Sequence, residues 1–248
     1  MKSNKKRFFC GITGGTASGK TTLCQNIKDM LQTGGGSGSG SGGRSEYGEQ
    51  YKCREGEGEK YGEREKYGEG ERGAKKCVII SQDNYYKAQP EGRDNTKINW
   101  DHPDALEWNL LASDLQKLAN NEQVCAPEWD FVLHKRKEKC QIIPDVDVYL
   151  IEGIFVLNDP KIRELLDLQI FVDVDSDSRL ARRIVRDIEQ RGRTLESVLY
   201  QYQNFVKPGY DNFTLPSKRH ADIIVPYTNP NPICENMIVR WINSHQKL

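Results

Sequence analysis

The sequence predicts an α/β fold: a parallel sheet of about five strands with helices on both faces, interrupted by a disordered low-complexity insertion. Three observations lead there. Short apolar runs, suited to strands buried on both faces, alternate along the chain with stretches of helical periodicity. A glycine-rich loop stands between the first apolar run and the first helical stretch. The tract 33–76 has almost no aliphatic residues, so it cannot bury enough apolar surface to offset its ordering entropy. Residues 1–32 therefore open a domain that 77–248 complete, around an insertion at 33–76.

The first element is the run Arg7-Phe-Phe-Cys-Gly-Ile-Thr13, read as a strand, and Lys20 to Leu31 reads as the helix that follows. Between them, Gly14, four spacers, Gly19, Lys20 and Thr21 fit the pattern G-x-x-x-x-G-K-[ST]. Glycines let successive backbone N–H groups converge on phosphate oxygens. Lys20 supplies charge toward the β and γ phosphates, and the Thr21 hydroxyl is placed to ligate Mg²⁺. A chance glycine-rich turn lacks this strand-loop-helix setting. Gly14, Gly15, Thr16, Ala17, Ser18, Gly19, Lys20, Thr21 and Thr22 are thus the expected ATP-binding residues.

The insertion comes next. It begins with GGGSGSGSGG and continues as a Tyr-Gly-Glu-rich tract in which KYGE recurs at Lys60 and Lys66. Its tyrosines are candidate partner or phosphorylation sites, but low-complexity composition carries no specific site and favours a flexible expansion without dedicated function; a cloning linker or a gene-model error is a further explanation of the Gly/Ser part. Beyond it, strands are expected at Val78 to Ile80, Val146 to Ile151, Gln169 to Val172 and Ile223 to Val225. Helices are expected at Leu106 to Ala119, Lys161 to Leu166 and Ser178 to Gln190.

In such a sheet, ligands gather beyond the carboxyl ends of the strands. Asp83, in SQDNYYK, follows one strand and is placed to take a proton from a hydroxyl nucleophile, although loop aspartates also cap and make turns. Glu152 ends another buried strand, at the acidic position that helps to hold Mg²⁺ in phosphate-loop proteins, or is a satisfied structural carboxylate. Arg179 to Arg193 is the most charged helical stretch. Arg179, Arg183 and Arg186 share a face, and Arg191 and Arg193 flank Gly192, a helix stop and hinge. Such a run is either a solvated face or an arginine-bearing lid for phosphoryl transfer. The phrases INWDHPDA, PEWDFVLHKR and FVKPGYDNF mix rings with polar groups, as ordinary loops or as a wall for a planar ligand.

Composition narrows the classes. The 248 residues carry formal net charge zero, so nothing marks a nucleic-acid binder. The seven cysteines are scattered, odd in number and never in a C-x-x-C pair, which suggests neither a zinc site nor a disulfide framework. A cytoplasmic location is expected. No apolar run of about eighteen residues stands anywhere, and MKSNKKRFF is not followed by one, so no membrane span or secretion signal is expected.

In order, GGTASGKTT, SQDNYY, NWDHPDA, PEWDFVLHKR, IEGIF, RLARRIVRDIEQRGR, QYQNFVKP and LPSKRHADIIVP resemble the uridine-cytidine kinases, from Phe8 to Pro226 apart from the insertion. The resemblance implies transfer of the ATP γ-phosphate, with Mg²⁺, to the 5′-hydroxyl of uridine or cytidine. It assigns Asp83 as the base and puts Tyr86 beside the nucleoside. Asp101 and Arg183 take the ribose hydroxyls; Trp129, Phe131 and His134 build the pyrimidine pocket, with Arg136 in the same motif. Arg186 and Arg191 go to phosphates, with Arg193 nearby, and Gln201 to the nucleoside side. A homotetramer inhibited by pyrimidine triphosphates is implied too. Tyr85 and Trp100 stand where the family usually has phenylalanine, Trp129 where it commonly has tyrosine, and YTNPNP after Pro226 departs from the usual Arg-Gly. These exchanges bear on affinity and base preference rather than on reaction type.

Rivals within the architecture are kinases of phosphoribulose, pantothenate or nicotinamide riboside; PEWDFVLH and Asp101-His102-Pro103 count against them. The absence of [NT]-K-x-D counts against a GTPase. A non-catalytic nucleotide-binding scaffold displaying its tyrosine tract is the rival of another class, and intact Lys20, Thr21, Asp83 and Glu152 count against it.

Overall fold

The computed structural model describes residues 7–34, 74–89, 98–130, 133 and 135–245. The bulk of the expected insertion, 35–73, lies outside the described residues, as do Phe131 and His134.

The five expected strands are all present, shifted by a residue or two at their ends. They are β1 (Phe8–Gly14), β2 (Cys77–Ser81), β7 (Val148–Glu152), β8 (Leu168–Asp173) and β9 (Ile223–Pro226), joined in the order β2-β7-β1-β8-β9. Every pair in this sheet is parallel. Alternation along the central strands divides the core between the two faces, as a period of two requires. Phe8, Cys10, Ile12, Val148 and Leu150 face one cluster, shared with α1 (Lys20–Gln32) and the helix Pro232–His245. Phe9, Tyr149 and Ile151 face the other, shared with α2 (Trp108–Ala119) and Ile162 of α3 (Pro160–Arg163).

Two small antiparallel pairs stand outside the main sheet. β3 (Val124–Ala126) pairs with β6 (Gln141–Ile143), and β4 (Trp129–Asp130) with β5 (Lys135–Arg136). The β3/β6 pair brings Cys125 and Cys140 together as a disulfide, with Cα atoms 5.4 Å apart. This corrects the expectation of no disulfide: the partners are 15 residues apart in sequence and meet only because the hairpin between them folds back.

After β8 come α4 (Ser176–Glu189) and α5 (Leu195–Gln201). The chain then stays helical through Ser217, with π-helical turns at Tyr202–Val206 and Tyr210–Thr214 on either side of Lys207–Gly209. Those wider turns let the helix continue through Pro208 and Pro216, each of which lacks an N–H and crowds the preceding turn. No described helix is long and apolar enough to cross a membrane.

Candidate active site

Register sets the site. Ile12 of β1 and Ser81 of β2 both pair with Glu152 of β7, so these three strands end level with one another. The glycine-rich loop, the 3₁₀ turn Gln82–Tyr85 and Glu152 consequently share one sheet edge.

In the loop, Gly19 has φ 90°, and a Cβ there would lie 2.8 Å from the Tyr227 ring. Both constraints call for glycine. Tyr227 is itself fixed: its hydroxyl donates to Glu235 (2.6 Å), which also accepts from Asn26 (2.9 Å). The departure YTNPNP thus supplies a ring behind the loop. Lys20 is buried and its Nζ donates to the Gly15 carbonyl at 2.9 Å. Loss of water pushes its pKa down, and the carboxylates of Glu152 and Asp83 pull it back up. Ser18 Oγ is buried without a hydrogen-bond partner, an orphaned donor aimed within a loop of the kind that takes phosphate oxygens. Thr21 and Thr22 are exposed on the first turn of α1.

The charges of Asp83, Glu152 and Lys20 act on one another. Burial raises the pKa of both carboxyls; Lys20 offsets part of the rise at each, and Arg191 and Arg186 offset more at Asp83. Ser81 Oγ donates to Glu152 at 3.1 Å. Among the described residues there is no group of three or more metal-type side chains. A Mg²⁺ ion asks for less, commonly one or two carboxylates besides water and phosphate, and the Asp83–Glu152 pair with the Thr21 hydroxyl fits that need.

On the other side of the loop, Arg183 Nη1 donates to Thr16 Oγ1 at 3.1 Å and Nη2 to Gln201 Oε1 at 3.3 Å. Gln201 Oε1 also accepts from Arg193 at 3.0 Å. Burial raises the Asp101 carboxyl, while the nearby Arg183 guanidinium pulls it down. Gly209 packs against the Asp101 backbone so closely that a Cβ there would lie 3.1 Å from Asp101 Cβ and closer still to its carbonyl oxygen. Tyr86, Trp100 and Trp129 form a three-ring cluster with centroids 5.2 to 5.4 Å apart. Arg136 is held by the Tyr86 carbonyl (3.0 Å) and Glu107 (3.3 Å).

The charges of Lys20, Arg191 and Arg186 act on Asp83, those of Asp83 and Lys20 act on Glu152, and Arg183 lies within reach of Asp101, Arg186 and Arg193 and bonds Gln201. Two groups gain a place that the sequence reading did not give them. Arg179, read only as one of a helical face of arginines, is almost fully buried, donates to the Val174 carbonyl at 2.9 Å and stacks 3.9 Å over the Tyr210 ring, beside Gly15. Asp187, also fully buried, is the common partner of Arg183, Arg186, Arg191 and Arg193. Its signal was an acid set among arginines at helical spacing.

A lysine in a glycine-rich loop at the strand ends, opposed by two carboxylates and roofed by arginines, is an arrangement for moving a phosphoryl group. The profile described as "Phosphoribulokinase / Uridine kinase family" matches residues 9–233. The chain belongs to that family. It is 37% identical over 243 residues to "Uridine-cytidine kinase B" of Dictyostelium discoideum, covering 97% of this chain and 83% of that one. It is 39% identical over 241 residues to "Uridine kinase" of Clostridium perfringens, covering 96% of each. Among solved structures, phosphoribulokinase from Rhodobacter spheroides superposes with a TM-score of 0.56 at 15% identity, over 91% of this chain and 74% of that one, a likeness of fold.

Proposed function

We propose that this family member transfers the γ-phosphate of ATP to the 5′-hydroxyl of uridine and cytidine. The observation that carries the reading is the meeting of Lys20, Asp83 and Glu152 at one sheet edge beside the arginines of α4. The uridine and cytidine kinase names of its relatives support the choice of acceptor.

In this reading, Gly14 to Thr22 cradle the ATP phosphates and Asp83 accepts the proton of the attacking hydroxyl. The new O–P bond forms as the bond to the ADP oxygen breaks, and Arg186 and Arg191 stabilise the charge that develops. Lys20 keeps a positive charge beside the β and γ phosphates. Asp101 and Arg183 hold the ribose; Tyr86, Trp129, Phe131 and His134 serve the nucleoside, with Arg136, Arg193 and Gln201 around them. Thr21 and Glu152 would hold Mg²⁺, which when bound neutralises phosphate charge. Such chemistry belongs with the ATP and free nucleosides of the cytoplasm.

ADP release measured with uridine, cytidine, thymidine, adenosine and nicotinamide riboside tests the reading. Turnover confined to uridine and cytidine is expected. Turnover with nicotinamide riboside alone, or with none of the five, would refute it.

A further inference from the structure

Asp187 has no role in the chemistry above, yet it is the most heavily paired carboxylate of the described site. Its oxygens lie 2.8 Å from Arg186, 3.0 Å from Arg193, 3.4 Å from Arg191 and 3.6 Å from Arg183. The partners come from two directions. Arg183 and Arg186 precede it on α4 and Arg191 follows it at i+4 just past the helix end, whereas Arg193 returns through Gly192, at φ 63°. The Arg193 N–H closes that turn onto the Asp187 carbonyl at 3.0 Å. Burial alone would raise the Asp187 carboxyl, but Arg186, Arg183 and Arg191 together hold it below the ordinary range, so it stays ionised.

One carboxylate cannot neutralise four guanidiniums. Burial, and after it the neighbouring Arg186, pushes Arg191 down to about 10, and a surplus of positive charge remains around Asp187. It is directed at the catalytic edge: Arg183 bonds Thr16 of the phosphate loop, and the charges of Arg186 and Arg191 reach Asp83. Four flexible cations of like sign repel one another, and without a common anion they would spread toward water.

We propose that Asp187 is a positioning residue, a resident counter-anion that gathers Arg183, Arg186, Arg191 and Arg193 into the spacing that phosphoryl transfer requires, at the expense of overall anion affinity. It touches neither the reacting atoms nor the substrate and acts through the guanidiniums. The inference rests on the kinase reading for its kinetic consequence, but not for its electrostatic one. Neutralising Asp187 should misplace the arginines and at the same time release positive charge. Turnover should fall while anion binding tightens, whereas loss of a purely structural residue weakens both.

The test compares wild type with Asp187→Asn and Asp187→Glu. Steady-state kinetics use ATP with uridine; a direct titration uses inorganic tripolyphosphate as probe. For Asp187→Asn we expect kcat to fall on the order of 10²-fold, as for a misplacement of about 1 Å. Tripolyphosphate should bind roughly tenfold more tightly, equivalent to about 1.4 kcal/mol. Asp187→Glu keeps the charge and moves it by one methylene, so it should retain wild-type tripolyphosphate affinity with an intermediate kcat. Unchanged kcat in Asp187→Asn, or a lower kcat with unchanged or weaker tripolyphosphate binding, would overturn the proposal. If Asp187→Asn does not fold, Asp187→Glu decides: lowered kcat at wild-type anion affinity supports the role, and wild-type kinetics refute it. Wild-type protein inactive on uridine and cytidine would sink the kinase reading, and the titration would then decide Asp187 alone.

Discussion

Replacing Gly209 by alanine sets two effects of opposite sign against each other. Gly209 has helical dihedrals, φ −62° and ψ −41°, so alanine should gain about 1 kcal/mol of helix propensity. Its missing Cβ, however, is where the Asp101 backbone passes: an added methyl would lie 3.2 Å from the Asp101 carbonyl carbon and within 3.0 Å of the oxygen. Backbone cannot swing aside as a side-chain end can, and overpacking of this kind costs about 1–3 kcal/mol. The balance is a net loss of up to about 2 kcal/mol, with a displacement on the order of 1 Å passed to Asp101. If Asp101 holds the ribose, kcat/KM for uridine should fall roughly 10²-fold while KM for ATP stays near its original value. Thermal melting and steady-state kinetics on Gly209→Ala read both effects. A variant that melts higher than wild type with unchanged kcat/KM for uridine would refute the steric argument and the placement of Asp101 together.

Asp83→Asn should lower kcat by about 10²–10⁴ with ATP binding retained. In wild type, burial raises the Asp83 carboxyl against the opposing charges of Lys20, Arg191 and Arg186, so the base is lost as pH falls through a value above the ordinary ~3.9. The acid limb of kcat/KM should lie above that value. If Asp101 and Arg183 hold the ribose as proposed, deoxyuridine should be a much poorer substrate than uridine by kcat/KM, because both would be left without a hydroxyl to bond. Replacing Gly34 to Ala74 with a short polar loop should preserve activity and slightly raise the melting temperature. The ends of the tract already meet, Lys75 N–H donating to the Leu31 carbonyl at 2.9 Å, and loop closure costs only about 0.6 kcal/mol per doubling of length. Loss of catalysis in that shortened, folded protein would show that the tract serves the site. Thiol titration of unfolded protein should find two fewer free cysteines before reduction than after it, the missing pair being Cys125 and Cys140; equal counts would mean the bridge is not formed.

The sheet was legible because each of its strands is a short apolar run ended by polar or turn-forming residues, and parallel strands buried on both faces need no alternation to be seen. Asp83 and Glu152 were legible as polar residues just past such runs. The pairs β3/β6 and β4/β5 were not, since two or three residues carry no periodicity. The helix through Lys207–Gly209 and Leu215–Ser217 reads as loop because Pro208 and Pro216 argue against it, and only the π turns reconcile them. Asp187 sits in plain view within RLARRIVRDIEQRGR. Helical spacing expresses its pairs with Arg183 and Arg191, but Arg193 reaches it by turning back through Gly192, which spacing along a helix does not express.

The strand order has a consequence for how this protein is made. β1 leads into the phosphate loop, but its two neighbours, β7 and β8, lie more than a hundred residues downstream. On a ribosome adding about 5–20 residues per second, the apolar β1 waits on the order of ten seconds for its first partner, and the intervening tract lengthens the delay. Throughout that interval the nascent chain carries an unpaired, aggregation-prone segment. The demand on chaperones is set here by connectivity, before stability enters at all.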